Sequence, residues 1–171
     1  MASVTLITAD HNQGKTSQLI QRSKTLEKGS FEGYACVKRF SKHHVFQGYD
    51  LVSLSSGEIV PALTLKELYQ EEFKDFFVFG PFVFSRDAFY TAEMTLLKAM
   101  QDPSITTLLM DEIGQVELMD MGYAWILKEA LKTDKQCILC VNSRVVENVI
   151  RHFKIKDPTL IKVTQEPPIS S

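Results

Sequence analysis

The segment Ala9-Asp10-His11-Asn12-Gln13-Gly14-Lys15-Thr16 sets a lysine and a hydroxyl residue directly behind a glycine. The chemistry of that spacing is phosphate binding. A compact loop turns its backbone N–H groups inward around an anion, and a helix starting at its end adds free N–H groups and a positive dipole end. Gly14 lets the main chain approach the anion without a Cβ. Lys15 reaches the β- and γ-phosphates as a point charge, Thr16 offers its hydroxyl to Mg²⁺, and Ser17 adds a phosphate contact. Ala9 stands where the strict pattern has Gly. A positive φ there would cost about 1 kcal/mol, small beside the binding energy of a Mg-nucleotide. Ala9, Asp10, His11, Asn12, Gln13, Gly14, Lys15, Thr16 and Ser17 are therefore the candidate nucleotide-binding residues.

A second group lies nearly a hundred residues on. Ile105-Thr106-Thr107-Leu108-Leu109-Met110 reads as an apolar strand ending in Asp111-Glu112. Two carboxylates at a strand end beside a triphosphate divide naturally into two tasks. Asp111 holds Mg²⁺ together with Thr16, and Glu112 accepts a proton from an attacking water or orients it. Lys15, Asp111 and Glu112 are the expected catalytic residues, with Thr16 and Asp111 toward the metal.

The elements that must position these groups alternate in type. Val4–Thr8 reads as a buried strand and Gly14–Glu27 as a helix, with Gly29 as its C-cap. Gly33–Phe40, Val45–Leu54 and Ile59-Val60 read as strands joined by turns, an antiparallel meander. Leu65–Phe73 suggests a short helix. Phe76–Phe79 reads as a strand. Ser85 caps a helix to Met100 that Asp102-Pro103 stops. After the 105–110 strand, a helix capped by Asp120 runs to Leu131. Gln136–Val141 is a strand, Val145–Phe153 a helix and Leu160–Val163 a last strand. Strands alternating with helices predict a three-layer α/β fold whose sheet is mostly parallel, with an antiparallel β insertion. In parallel sheets the functional edge is the C-terminal one, where both candidate groups fall.

The motifs carry a family resemblance. Asp111-Glu112-Ile113-Gly114-Gln115-Val116-Glu117-Leu118 resembles the D-E-I-G-x-M-E-L signature of the thermophile-type nucleoside-triphosphatases, with Val116 in place of Met. Phe31-Glu32-Gly33-Tyr34, Gln47-Gly48-Tyr49-Asp50 and Gly80-Pro81-Phe82-Val83-Phe84 fall where that family has glycine–aromatic blocks. The resemblance spans about Val4 to Val163. It implies a RecA-like P-loop fold and Mg²⁺-dependent hydrolysis of several nucleoside triphosphates to diphosphate and phosphate. The loop is more polar than the family's Gly-Pro-rich version, through Asp10, His11 and Asn12. The family's Asn-containing C-terminal block is replaced by Thr164-Gln165-Glu166-Pro167-Pro168.

Hydrolysis also calls for a further positive charge on the transition state. Arg39, Arg86, Arg144 and Arg151 are candidates. Arg39 lies near the position of an arginine in the resembling family's hairpin region, and Lys38 is the alternative match. Cys137 and Cys140 form a CxxC pattern, but residues three apart on a strand point to opposite faces and neither chelate nor pair. His43-His44 reads as a solvated hairpin tip. Phe76, Phe77, Phe79, Phe82 and Phe84 either fill the core or form a stacking or partner surface.

The length of 171 residues suits one domain, and 44% hydrophobic with 23% charged residues is ordinary for a globular protein. The expected domain spans 1–164, with the antiparallel insert at about 33–61 and a flexible tail at 165–171. Nineteen basic against 21 acidic residues give a net charge of -2, which offers no electrostatic reason for general nucleic-acid or membrane-surface binding. No apolar run is long enough for a bilayer, the N-terminus lacks a secretory pattern, and three cysteines do not make a disulfide framework. The expectation is a cytoplasmic enzyme acting on nucleoside triphosphates, its protein partner unspecified. A small-molecule or nucleoside kinase is the alternative enzyme, its acceptor pocket between the antiparallel insert and the Phe82–Phe89 segment. A nucleotide-dependent switch is the alternative of another class.

Overall fold

A computed structural model describes residues 1–10 and 14–164. β1 (Ser3–Ala9) is buried along almost its whole length, as a strand covered on both faces must be. α1 (Lys15–Thr25) follows, and β2 (Phe31–Phe40), β3 (Phe46–Ser53) and β4 (Ile59–Leu65) make the meander. A single 3₁₀ turn at Lys66–Leu68 leads to the hairpin β5 (Phe76–Phe79) and β6 (Phe82–Ser85). Then come α2 (Arg86–Gln101), β7 (Thr107–Ile113), α3 (Gln115–Leu118), α4 (Ala124–Leu131), β8 (Gln136–Asn142), α5 (Val146–His152) and β9 (Thr159–Lys162).

Among the described residues all strands join one sheet, in the order β5-β6-β4-β3-β2-β7-β8-β1-β9. From β2 to β9 the neighbours are parallel. From β2 outward to β5 they are antiparallel. β2 therefore belongs to both halves and ties the insertion to the parallel core. Leu19 of α1 packs with Ile7, Leu109, Ile138 and Cys140 on one face of the sheet. Leu96, Ile126, Leu127 and Val149 from α2, α4 and α5 pack on the other. Cys137 lies in the second cluster and Cys140 in the first, so the CxxC pair is split across the sheet as strand alternation requires.

Some expectations change. The antiparallel part extends beyond 61, because Phe82–Ser85 pairs with β4 and turns back on Phe76–Phe79. Leu65–Phe73 forms only the 3₁₀ turn. Leu26, ahead of Gly29, caps α1. The helix assigned to Asp120 begins at Ala124. Asp120 instead has φ 58° and takes Lys128 and His152 as partners. Ser85 does cap α2, accepting from the Ala88 N–H at 3.1 Å. Among the described residues no helix is long and apolar enough to cross a membrane.

Candidate active site

β1 ends at the fully buried Ala9, and α1 begins at Lys15 on Gly14. Gly14 has φ 86°, a left-handed conformation open to glycine at no steric cost. A Cβ there would meet Val163 only at an ordinary 3.7 Å, so the torsion, not crowding, calls for glycine. Asp10 accepts a hydrogen bond from the Ser143 hydroxyl, just past the end of β8, which ties its carboxylate to that neighbouring loop. His11, Asn12 and Gln13 lie outside the described residues. Lys15 is 4% exposed, Thr16 half-buried and Ser17 exposed.

Strand β7 carries the acidic pair to the same edge. It pairs with β8 one-to-one up to Met110–Leu139 and resumes at Ile113–Val141, so one extra residue bulges out between them. Glu112 takes the left-handed conformation at φ 58°, unusual for a side-chain-bearing residue. A bulge re-aims side chains, and here it separates two adjacent acids. Asp111 is 1% exposed beneath the phosphate loop, while Glu112 stands exposed at the mouth of the cleft.

The Asp111 carboxylate is saturated with donors. Thr16 Oγ1 donates to Oδ2 at 2.7 Å, the Cys36 N–H donates to Oδ2 at 2.9 Å and the Glu112 N–H donates to Oδ1 at 2.9 Å. Burial raises its pKa, and these donors pull it back down. The protein walls around Glu112 strip much of its bulk hydration despite its exposure, which raises its pKa. The Asp111 charge raises it further, and the Lys15 ammonium lowers it. Two residues 95 positions apart, Thr16 and Asp111, thus share a hydrogen bond, with Glu112 and Lys15 near enough to interact electrostatically.

A cleft of about 260 Å³ runs over Gly14, Lys15, Thr16 and Ser17 toward Lys38 and Glu112. Lys38 is the positive side chain that β2 presents there. Arg39, one residue on, is spent elsewhere. Its guanidinium pairs with Asp50 and donates to the Tyr49 and Leu63 carbonyls and to Thr64 Oγ1, binding the meander together. Arg86 pairs with Asp75 and lies over the Phe77 ring. Arg144 borders a second cavity of about 450 Å³ that meets the first at Glu112 and Tyr49.

Two residues of that second cavity escaped the sequence argument. Glu117 is 3% exposed, and its carboxylate accepts from the Gly114 N–H at 2.9 Å and the Tyr123 N–H at 3.1 Å. Burial pushes its pKa up to about 7 against those two donors. It stands inside the Asp111–Leu118 signature, and its spacing of three from Gly114 is that of a capping box, the two signals that point to it. Gly122 makes room for it, since a Cβ there would fall 2.2 Å from Glu117 Oε2. Tyr123 is 2% exposed, and its hydroxyl has no hydrogen-bond partner among the described residues.

The chain matches the NTPase family model over residues 4–167. THEP1 from the hyperthermophile Aquifex aeolicus is a structural relative at 15% identity and TM-score 0.67, the match covering 94% of this chain and 90% of that one. A human cancer-related nucleoside triphosphatase, known from a solution structure, aligns at 24% identity and TM-score 0.69, covering 96% and 90%. At these identities both likenesses concern the fold. No curated protein matches the chain by sequence.

Proposed function

The chain belongs to the NTPase family, and from that premise we propose that it hydrolyses nucleoside triphosphates to diphosphate and phosphate in a Mg²⁺-dependent reaction at the Gly14–Ser17, Asp111, Glu112 cleft. The observation that carries this is the 2.7 Å contact of Thr16 Oγ1 with Asp111 Oδ2 beneath the loop that holds Lys15. A hydroxyl and a carboxylate are the hard oxygen donors Mg²⁺ takes, and a buried carboxylate favours a cation beside it. Among the described residues no cluster of three or more His, Cys, Asp or Glu could hold a metal by itself. That fits an ion bound by one carboxylate, a hydroxyl and the phosphates of its substrate.

Thr16 and Asp111 would hold the ion, which when bound neutralises charge on the β- and γ-phosphate oxygens. Gly14 and the first turn of α1 direct backbone N–H groups at the phosphates. Lys15 neutralises charge on the β/γ bridge as the leaving oxygen develops it. Glu112, turned out of the strand by the bulge, takes the proton of the attacking water. The Cys36, Thr16 and Glu112 donors favour the ionised form of Asp111 against its burial, which raises its pKa. Lys38 supplies the extra positive charge at the attack side of the cleft, the role for which Arg39 is unavailable.

The test is phosphate release from ATP, GTP, CTP and UTP with Mg²⁺ and with chelator. Release from at least one triphosphate that chelator abolishes supports the assignment. Release indifferent to chelator, or none from any triphosphate, overturns it.

A further inference from the structure

The cavity of about 450 Å³ has the size of a small-molecule site and a lining of two unlike kinds. Its walls are aromatic and aliphatic, from Leu51, Leu63, Phe79, Phe82, Phe84 and Phe89. Phe84 organises them, stacked on Phe77 at 4.8 Å and on Phe89 at 6.1 Å between centroids, with Phe82 edge-on at 6.5 Å. The polar lining comes from Asp111, Glu112, Gln115, Glu117, Asn142 and Arg144. A fold that wanted only core would have closed this space, and a buried hydroxyl without a partner costs about 1–3 kcal/mol. Tyr123 bears that cost: its ring borders the cavity while its hydroxyl lies buried. Its ring is fixed edge-on to Phe89 at 5.2 Å, so the hydroxyl is held in place.

The cavity's position specifies its use. It joins the phosphate cleft at Glu112, the residue assigned to the attacking group. Phosphoryl transfer is in line, so the attacker approaches opposite the leaving oxygen, while the sugar and base trail on the leaving side. A cavity opening beyond Glu112 therefore lies on the side of the attacker.

We propose that this cavity is an acceptor site, binding an aromatic alcohol of nucleoside size with its ring against Phe82, Phe84 and Phe89 and its hydroxyl at Glu112, so that the γ-phosphoryl group passes to the alcohol in place of water. The proposal rests on the phosphate-site assignment above. The bond between the γ-phosphorus and the β,γ-bridging oxygen breaks, and a bond from that phosphorus to the alcohol oxygen forms. The alcohol proton goes to the Glu112 carboxylate and then to solvent. The products are a phosphate monoester and the nucleoside diphosphate. The aromatic walls favour a flat acceptor. With no acceptor bound, water fills the attack position and the outcome is hydrolysis.

The experiment gives the full chain Mg²⁺ and γ-phosphate-labelled ATP with adenosine, thymidine or pyridoxine, and separates labelled phosphate from labelled monoester. At least one probe is expected to yield monoester. Phe82→Ala should lower the ratio of monoester to phosphate. Labelled phosphate alone with every probe, in a protein whose phosphate release requires Lys15, overturns the acceptor site and leaves the hydrolytic assignment standing. A probe that raises the KM for ATP without forming monoester places the nucleotide base in this cavity and also overturns it. Monoester formation with the ratio of monoester to phosphate unmoved in Phe82→Ala overturns the assigned ring seat. Phosphate release that survives Lys15→Ala fails the hydrolytic assignment itself, and the acceptor site with it.

Discussion

Replacing Glu117 with Gln tests whether the carboxylate beneath the cavity is held against its own electrostatics. Glu117 is almost fully buried, and its pKa rises from an ordinary 4.5 to about 7. In the unfolded chain it ionises near 4.5. Between that pH and about 7 the native state holds a proton the unfolded state has lost, so stability falls as pH rises through this window. The stabilising contribution is complete below the unfolded pKa and lost above the folded one. At about 1.36 kcal/mol per pH unit, the gap amounts to about 3 kcal/mol. Glu117→Gln abolishes the titration. It also sacrifices an acceptor, because two N–H donors, from Gly114 and Tyr123, converge on the carboxylate and an amide has one oxygen. That loss costs about 1–3 kcal/mol at any pH. The variant should therefore be less stable than wild type at pH 5, with the deficit shrinking or reversing by pH 8. Groups that do not interact with Glu117 cancel in the difference between the two proteins, and Glu112 enters it only through its repulsion of Glu117. Urea unfolding of both from pH 5 to pH 8 reads it directly. A stability difference that stays constant across that range would mean that Glu117 does not titrate in this window.

Lys15→Ala should lose most nucleotide binding and turnover while keeping its circular dichroism, since the charge is aimed at a ligand; binding by calorimetry checks it. Asp111→Asn should raise the Mg²⁺ concentration for half-maximal turnover about 10–100-fold, read from metal titrations of activity. Arg39→Ala and Lys38→Ala should behave oppositely. The first leaves Asp50 half-buried without its cation and costs about 2–3 kcal/mol of stability with kcat little changed. The second leaves Tm in place and lowers kcat about tenfold or more. Thermal unfolding and steady-state kinetics on the pair separate the roles.

Much of the frame was legible because local chemistry and tertiary packing agreed. Ser85 and Asp102-Pro103 bracket α2 as a cap and a stop should, and the unbroken apolar run of β1 matches a strand buried on both faces. Gly14-Lys15-Thr16 and Asp111 come together because the parallel order β7-β8-β1 brings their strand ends to one edge. What stayed hidden depends on contacts between distant segments. The bulge at Glu112 is set by the register of β7 on β8, which no single segment encodes. β6 was missed because Phe82–Ser85 is only four residues long and runs straight into a helix cap. Asp120 looked like a cap by type, yet its partners are Lys128 and His152 on α4 and α5. Arg39 and Lys38 differ by one residue and were indistinguishable until strand alternation put one in the cleft and the other in the meander's polar cluster. Of the aromatic-rich stretch, Phe79, Phe82 and Phe84 line a cavity, and Phe84 belongs to the buried core as well.

The central claim is that Glu112, turned out of β7 by the bulge, takes the proton of the group that attacks the γ-phosphate. Single-turnover phosphate release by Glu112→Gln with saturating Mg-ATP, beside nucleotide binding on the same sample, tests it most directly. Gln keeps the size and hydrogen-bonding reach of Glu but cannot accept the proton. The account predicts binding close to wild type with release slowed about 10²–10⁴-fold. Release at the wild-type rate would contradict it.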